Sequence, residues 1–228
     1  MREDIIKLFK DGVIVACQAD EHEPLHGAQF MAGIAKSAQI GGALGIRANG
    51  LLDIAAIRLS VSLPIIGSHR VDTPGYIVRI TPTIEIARQV AAAGADIIAV
   101  DATNRPHPDG LSIQERIKAI HRDTGRCVMA DIASFEEGLA AEEAGAELVA
   151  TTLSGYIHTA QLSLDPDFKL IAQLANRLKI PVIAEGRFTT PDQAAHALDL
   201  GAYAVVVGSP ITRPQWITAQ FVNRLKNS

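Results

Sequence analysis

Two short stretches near the end of the sequence have the residues of a phosphate-binding site. Gly186 and Arg187 follow one apolar run, and Gly208, Ser209 and Arg213 follow the next. Glycines let backbone N–H groups approach an anion, and a short helix starting there adds its positive dipole end. An Arg such as Arg213 can bind two phosphate oxygens at once. The alternative is a tight turn into the last helix, but the two stretches together favour phosphate binding.

Polar residues also follow the other apolar runs. Three of these runs end in a carboxylate, which is more than periodicity requires, although a helix cap or a buried ion pair explains any single one equally well. The positions that we expect to face one cavity are Gln18, Arg47, Ser68, His69, Arg70, Asp101, Thr103, Asp131, Thr151, Thr152, Ser154, Glu185, Arg187 and Ser209.

An alternation of strands and helices must position these residues. Eight short runs rich in β-branched or small apolar residues predict strands at 13–17, 43–47, 64–67, 96–101, 127–131, 147–151, 181–185 and 204–207. Stretches of helical period predict helices at 25–39, 53–60, 83–93, 112–123, 135–144, 167–178, 191–200 and 214–225. The alternation predicts a parallel sheet, and eight strands favour an α/β fold closed into a (β/α)₈ TIM barrel, whose carboxyl strand ends face one cavity.

Two further segments complete this layout. Residues 2–10 predict a short helix before the first strand, where it could cap the bottom of the barrel. Residues 76–80 form either a short extra strand or an extended approach to the next helix. A barrel of this kind needs about 200 to 250 residues, so we expect the 228 residues to form one domain over 1–228.

Charge and motifs argue against several classes of function. The net charge is −4 and the basic residues are scattered, which disfavours nucleic acid and anionic membranes as partners. No G-x-G-x-x-G follows the first strand and no Walker pattern occurs, so nucleotide cofactors are disfavoured. The seven His are dispersed, and we expect neither a required metal nor a cofactor.

Cysteine usage and the amino terminus indicate a cytoplasmic protein. Cys17 and Cys127 each lie in an apolar run, so buried reduced thiols are expected rather than a disulfide or a metal pair. Residues 1–12 carry alternating charges where a signal peptide needs an apolar stretch.

Seven stretches spread over nearly the whole chain carry a resemblance. They are Val-Ala-Cys-Gln at 15–18, Gly-Ile-Arg-Ala-Asn-Gly at 45–50, Asp-Ala-Thr at 101–103, Ala-Asp-Ile at 130–132, Thr-Thr-Leu-Ser-Gly-Tyr at 151–156, Ala-Glu-Gly-Arg at 184–187 and Ile-Thr-Arg-Pro at 211–214. In these stretches the sequence resembles the N-acetylmannosamine-6-phosphate 2-epimerase family. The stretches at 151–156 and 185–187 are specific to that family among phosphate-binding barrels.

The resemblance implies a cofactor-independent interconversion of N-acetylmannosamine 6-phosphate and N-acetylglucosamine 6-phosphate, in bacterial sialic acid and amino sugar breakdown, by a homodimer. Inversion at C2 needs a base with a pKa near the working pH and a donor for the enolate oxygen. By position, the resemblance implies sugar-contacting or catalytic roles for Gln18, Arg47, Asp131 and Glu185, further substrate contacts at Asp101, Thr152, Ser154 and Tyr156, and phosphate contacts at Gly186, Arg187, Gly208, Ser209 and Arg213.

The third loop departs from the family pattern. The family places a catalytic Lys where this sequence has Arg70, and a guanidinium with a pKa above about 12 stays protonated. Arg70 can therefore stabilise an enolate but is a poor base. Three interpretations stay open: an epimerase with His69 or Glu185 as the base, a related isomerase or epimerase for another phosphorylated or acidic sugar, and a phosphosugar-binding protein without turnover.

Overall fold

The computed structural model describes residues 2–157 and 164–226. The strands are β1 (Gly12–Cys17), β2 (Gly45–Asn49), β3 (Ile65–Ser68), β4 (Ile97–Asp101), β5 (Cys127–Asp131), β6 (Leu148–Ala150), β7 (Val182–Glu185) and β8 (Ala204–Val207). Each strand pairs in parallel with the next, and β8 pairs with β1. The predicted closed TIM barrel is therefore confirmed.

Helices connect the strands and surround the barrel. They are α1 (Arg2–Lys7), α2 (Ala28–Ile40), α3 (Leu51–Ser60), α4 (Ile84–Ala92), α5 (Ile113–Thr124), α6 (Phe135–Ala144), α7 (Phe168–Arg177), α8 (Pro191–Asp199), α9 (Ser209–Thr212) and α10 (Pro214–Lys226). Local capping fixes several helix starts, because Ser112 and Thr190 each form a reciprocal capping box and the Ser134 hydroxyl accepts from the Glu137 N–H. Helix α2 starts later than predicted, because Gly27 has a φ of 120° that a helix does not allow.

The two-residue period of the strands decides which side chains face the barrel interior. On β5, Cys127 and Met129 belong to the interior cluster, whereas the residue between them packs against the surrounding helices. Asp131 lies two residues beyond Met129 and therefore faces inward at the carboxyl end of the strand. The same period turns Asp101 on β4 and Glu185 on β7 inward.

The amino-terminal segment closes the opposite end of the barrel. Ile6 and Phe9 are buried in the interior cluster. At Gly45, a Cβ atom would lie 2.5 Å from the Phe9 ring, so the missing side chain makes room for that ring. The expected cap at the bottom is confirmed, although the helix itself ends at Lys7.

A hairpin formed by residues 69–81 follows β3 on the carboxyl side of the barrel. Arg70 and Ile80 form an isolated antiparallel bridge, and backbone hydrogen bonds on both sides of it hold the two arms together. The segment at 76–80 is therefore an extended approach that forms one bridge rather than a full extra strand.

Helix α10 packs differently from the last barrel helix that the sequence predicts. None of its described side chains is buried, and its main contacts are with α9. Arg213 has an extended backbone, with φ −118° and ψ 91°, so the chain turns sharply before α10 begins. Grooves of about 840 Å³ beside β1 and α2, and of about 810 Å³ beside β8 and α8, remain open to solvent.

The cysteines are placed as the sequence predicts. Cys17 and Cys127 are both buried and neither forms a disulfide, as predicted. Burial raises the pKa of the Cys17 thiol to about 12. In the described ranges, no helix has both the length and the apolar character needed to cross a membrane.

Candidate active site at the barrel mouth

A buried arginine and two carboxylates meet at the carboxyl ends of β2, β5 and β7. Arg47 is 1% exposed and donates to the two carboxylate oxygens of Asp131 at 3.0 and 2.6 Å. The same guanidinium donates to Glu185 at 2.5 Å. Asp131 also accepts a hydrogen bond from the Thr152 hydroxyl at 2.6 Å. One positive charge is therefore shared between two carboxylates.

Glu185 is the group whose protonation this arrangement perturbs most. Burial raises the pKa of Glu185 to about 7, because the negative charge of Asp131 adds to the effect of desolvation and the Arg47 guanidinium offsets only part of it. Asp131 takes two of the hydrogen bonds that Arg47 donates, so Glu185 is the less compensated carboxylate. A carboxyl group with a pKa near 7 can both accept and return a proton at physiological pH.

Thr151 holds the backbone of Glu185 in place. Its hydroxyl donates to the Glu185 carbonyl at 2.9 Å and accepts from the Glu185 N–H at 3.0 Å. The next residue, Gly186, has a φ of 116°, which favours glycine. The turn after β7 thereby aims the Glu185 carboxylate at the barrel mouth.

Arg70 supplies a second positive charge near Glu185. Its guanidinium donates to Oε1 of Gln18 at 3.0 Å, and its backbone N–H donates to Oδ1 of Asn49 at 2.9 Å. Burial by the surrounding loops and the nearby charge of Arg47 lower the pKa of Arg70, but a guanidinium stays protonated at physiological pH. Arg70 can therefore stabilise an anion and does not act as a base.

A cavity of about 320 Å³, the β8 cavity, opens between the turns after β7 and β8. Arg213 donates to the Ser209 hydroxyl at 3.0 Å and to the Glu23 carboxylate at 2.6 Å, which holds its guanidinium at the cavity wall. Glycines, a hydroxyl and a fixed guanidinium together suit a phosphate group. The predicted residues that line this cavity are Gln18, Arg70, Tyr156, Glu185, Gly186, Arg187, Gly208, Ser209 and Arg213.

A second cavity of about 530 Å³, the β3 cavity, shares Glu185 and Gly186 with the first. The hairpin at 69–81 and the segments after β4 and β6 form its walls. Asp101 lies at its polar side, where Arg105 donates to the Asp101 carboxylate at 2.5 Å. Glu185 therefore lies at the junction of a phosphate-sized cavity and a larger one.

Comparisons with known proteins show the family to which the chain belongs. Residues 31–227 match the family model described as "Putative N-acetylmannosamine-6-phosphate epimerase". The chain belongs to this epimerase family. A relative from Caldanaerobacter subterraneus subsp. tengcongensis, called "Putative N-acetylmannosamine-6-phosphate 2-epimerase", is 50% identical over 227 residues, which cover 99% of this chain and 96% of the relative. A relative of the same name from Cutibacterium acnes is 46% identical over 224 residues, with 97% of each chain covered.

A solved structure supports the same family. It is that of the N-acetylmannosamine-6-phosphate 2-epimerase from Clostridium perfringens, with a TM-score of 0.92 and 43% identity over 96% of this chain and 95% of that chain. Membership of the epimerase family makes the chain an isomerase and confirms the resemblance drawn from the sequence. The interpretations of another sugar substrate, or of binding without turnover, are not favoured by these relatives.

Most residues predicted for the epimerase site line one of the two cavities, and Arg47 and Asp131 form the buried pair next to Glu185, but Ser154 and His69 do neither. Ser154 is buried and its hydroxyl donates at 2.6 Å to Asp167, the residue that caps α7. His69 lies outside the lining of the β8 and β3 cavities. Its Nδ1 is buried without a hydrogen-bond partner in the described part of the chain, and desolvation lowers the pKa of the ring. The geometry favours Glu185 over His69 as the base.

Arg187 also differs from the expected phosphate contact. Its guanidinium donates to the backbone carbonyls of Ser154 at 2.5 Å and Asp165 at 2.7 Å. It also lies 5.5 Å from the centre of the Tyr156 ring, within the range of a cation–π contact. These contacts hold the segment after β6 against the turn after β7. Arg187 therefore stabilises the wall of the β8 cavity, whereas the guanidinium of Arg213 is the one available to a phosphate.

Sequence reasoning missed several residues of the epimerase site. Glu23 fixes Arg213 from 190 positions away, and Trp216 on α10 lines the β8 cavity. Ile77 and Ile80 reach the β3 cavity from the hairpin. The extended segment at 76–80 was the available signal for these two isoleucines, whereas Glu23 had none.

Proposed function

We propose that this enzyme interconverts N-acetylmannosamine 6-phosphate and N-acetylglucosamine 6-phosphate, with Glu185 as the proton-transferring residue. The position of Glu185 carries the proposal, because this carboxyl group lies between the β8 cavity and the buried Arg47–Asp131 pair with a pKa raised to about 7. With the phosphate in the β8 cavity, C2 of the open-chain sugar reaches Glu185.

The chemistry is a proton abstraction next to a carbonyl group. The Glu185 carboxylate takes the proton from C2. The electrons of the C–H bond form a C1–C2 double bond, and the carbonyl π electrons move onto the C1 oxygen to give an enolate. The permanent charge of Arg70, which lines both cavities, stabilises that oxygen. A proton from solvent water adds to the opposite face of C2, and Glu185 releases the proton it took to solvent, so atoms and charge balance without a cofactor.

Solvent isotope exchange tests this function directly. In D₂O with N-acetylmannosamine 6-phosphate, proton NMR should show loss of the C2 proton signal and growth of N-acetylglucosamine 6-phosphate that carries deuterium at C2. Exchange without formation of the second sugar would point to abstraction without inversion. Binding of the sugar without any exchange would contradict the proposal and would revive the interpretation of a non-catalytic phosphosugar-binding protein.

We also propose that the enzyme is a homodimer in which α10 of each copy covers the grooves of the other. Phe221 and Leu225 on α10 are 69% and 76% exposed, although residues of this type are usually buried. The grooves beside β1 and β8 lie on either side of the place where the last helix of a TIM barrel would pack, and Trp216 and Phe221 of α10 form one wall of the groove beside β8. Exchange of α10 between two copies buries both surfaces and needs only a turn at Arg213, where the backbone is already extended.

Phe221→Asp distinguishes this dimer from a monomer. Since Phe221 is exposed in the single chain, the substitution should be harmless to a monomer, but it should shift an exchanged dimer towards half its mass in sedimentation velocity. The matched control is Leu52→Asp, because Leu52 is 80% exposed on α3 and lines neither groove. A wild-type protein that sediments as a monomer would contradict the dimer.

The cellular role follows from the substrates. We place the reaction in the cytoplasm, in sialic acid and amino sugar breakdown, because the family resemblance implies that role and the site is built for a phosphorylated sugar.

A further inference from the structure

The β3 cavity is larger than proton transfer at C2 requires, and one part of its wall is apolar. Ile80 is 6% exposed in its wall, and Leu153 and Ile157 add apolar surface from the segment after β6. Ile77, in the hairpin at 69–81, also lines it and is 69% exposed. These four apolar side chains are separate from the groups that bind phosphate or move the proton, while Arg79 and Arg105 give the same cavity a charged side.

The proposed function decides which part of the substrate enters this cavity. C2 carries a hydrogen and three heavier substituents: the chain that leads back to the phosphate, the C1 carbonyl and the N-acyl group. When the phosphate occupies the β8 cavity and C2 lies at Glu185, the first substituent points back into that cavity. The other two extend beyond Glu185, where the β3 cavity begins.

The size of the cavity exceeds what these two substituents need. At roughly 30 Å³ for each water molecule, about 530 Å³ corresponds to about 18 waters. The acetamido group and the C1 aldehyde together have six heavy atoms. An acyl chain longer by one or two carbons would therefore meet apolar wall at Leu153, Ile80 and Ile77 rather than a steric limit.

We infer that the β3 cavity is an N-acyl subsite and that the enzyme epimerises N-acylmannosamine 6-phosphates whose acyl group is longer than acetyl. This inference rests on the proposed function, since it takes C2 to lie at Glu185. The substrate class is N-acylated hexosamine 6-phosphates with short alkyl acyl chains.

Parallel assays with the N-acetyl, N-propanoyl and N-butanoyl forms of mannosamine 6-phosphate test the inference, with kcat/KM read from the same proton NMR time course. We expect the two longer substrates to remain within about fivefold of the N-acetyl form, because each added CH₂ contacts apolar surface. A loss of more than about fivefold on the N-propanoyl form, with the N-acetyl form turned over, would overturn the subsite and leave the proposed function intact.

A substitution in the apolar wall tests whether the acyl chain lies in the β3 cavity or whether the enzyme tolerates longer acyl groups for another reason. Leu153→Phe narrows the β3 cavity, so it should lower kcat/KM for the N-butanoyl form by about tenfold or more relative to the N-acetyl form. Leu59→Phe is the matched control, because Leu59 is 90% exposed on α3 and remote from both cavities, and it should leave the ratio unchanged. An unchanged ratio in Leu153→Phe would place the acyl chain elsewhere.

The two failures are distinguishable. If no N-acyl sugar exchanges its C2 proton, the proposed function fails and the subsite fails with it. If the N-acetyl form is turned over, but kcat/KM falls by more than about fivefold for the N-propanoyl form or the substrate ratio is unchanged in Leu153→Phe, only the subsite fails.

Discussion

The β8 cavity and the buried Arg47–Asp131–Glu185 cluster lie next to each other and use arginine in opposite ways. Arg213 is 34% exposed at its side chain and keeps contact with solvent, whereas Arg47 is 1% exposed. Arg213 has one hydrogen-bonded carboxylate, that of Glu23 at 2.6 Å, and the more distant, exposed Asp20 at 3.9 Å. Two carboxylates compete for Arg47. An arginine that remains accessible can bind an incoming anion, whereas one enclosed by two carboxylates instead tunes the pKa of its partner.

The comparison predicts that the cluster controls turnover. Glu185→Gln should lower kcat by about 10²- to 10⁴-fold, because it removes the proton-transferring group while keeping its shape. KM should change little, since the phosphate contacts remain. In the unaltered enzyme, kcat/KM should rise with pH and level off above about 7, where the Glu185 carboxylate is ionised. A variant that raises KM and keeps kcat would contradict the assignment.

The β8 cavity should instead control affinity. Arg213→Ala should raise KM by about 10- to 100-fold, the range expected for losing charge-assisted hydrogen bonds to phosphate. The value of kcat should stay within a few-fold. Inhibition by inorganic phosphate should weaken in parallel, and Arg213→Lys should lie between the wild type and the alanine variant. A fall in kcat as large as that in Glu185→Gln would remove the distinction between the two regions.

The raised pKa of Glu185 should make the thermal stability of the protein depend on pH. The pKa of Glu185 rises from 4.5 to about 7 on folding, so the folded protein retains a proton that the unfolded chain loses, and stability falls as pH rises through that window. Gln at this position carries no charge and leaves Arg47 with one carboxylate. Glu185→Gln should therefore raise Tm by a few degrees at pH 8 and much less at pH 5, measured by thermal denaturation. A lower Tm at pH 8 would show that Arg47 needs both carboxylates.

The smallest effects should come from the loop after β3. Arg70→Lys keeps the positive charge that stabilises the enolate, so its rate in the isotope-exchange assay should equal or exceed that of the unaltered enzyme. The control is His69→Ala in the preceding residue. It should leave the exchange rate unchanged, because His69 lines neither cavity. Loss of exchange in His69→Ala would return that histidine to the role of base.

Local periodicity was sufficient to predict the barrel and the inward carboxylates. Asp101, Asp131 and Glu185 each follow an apolar strand in phase with its interior residues, so their placement depends on a two-residue rule. The capping boxes at Ser112 and Thr190 are equally local.

Features that depend on distant parts of the chain were not predictable in this way. The hydrogen bond between Glu23 and Arg213, and the use of Ser154 by Asp167, arise only when separate loops meet. The apolar residues of α10 have the pattern of an ordinary barrel helix. Periodicity identifies a face that must be covered, but it does not say which element, or which copy of the chain, covers it.

The bridge between Arg70 and Ile80 has a consequence for how such enzymes diversify. Under the proposed function and the acyl subsite inferred above, Arg70 faces the reacting carbon and Ile80 faces the acyl chain, and a single backbone pairing fixes both. An insertion or deletion between them would shift one relative to the other and disturb reaction and selectivity together. Point substitutions that keep the pairing can alter either property alone, so we expect natural variation here to proceed by exchange of side chains at constant loop length.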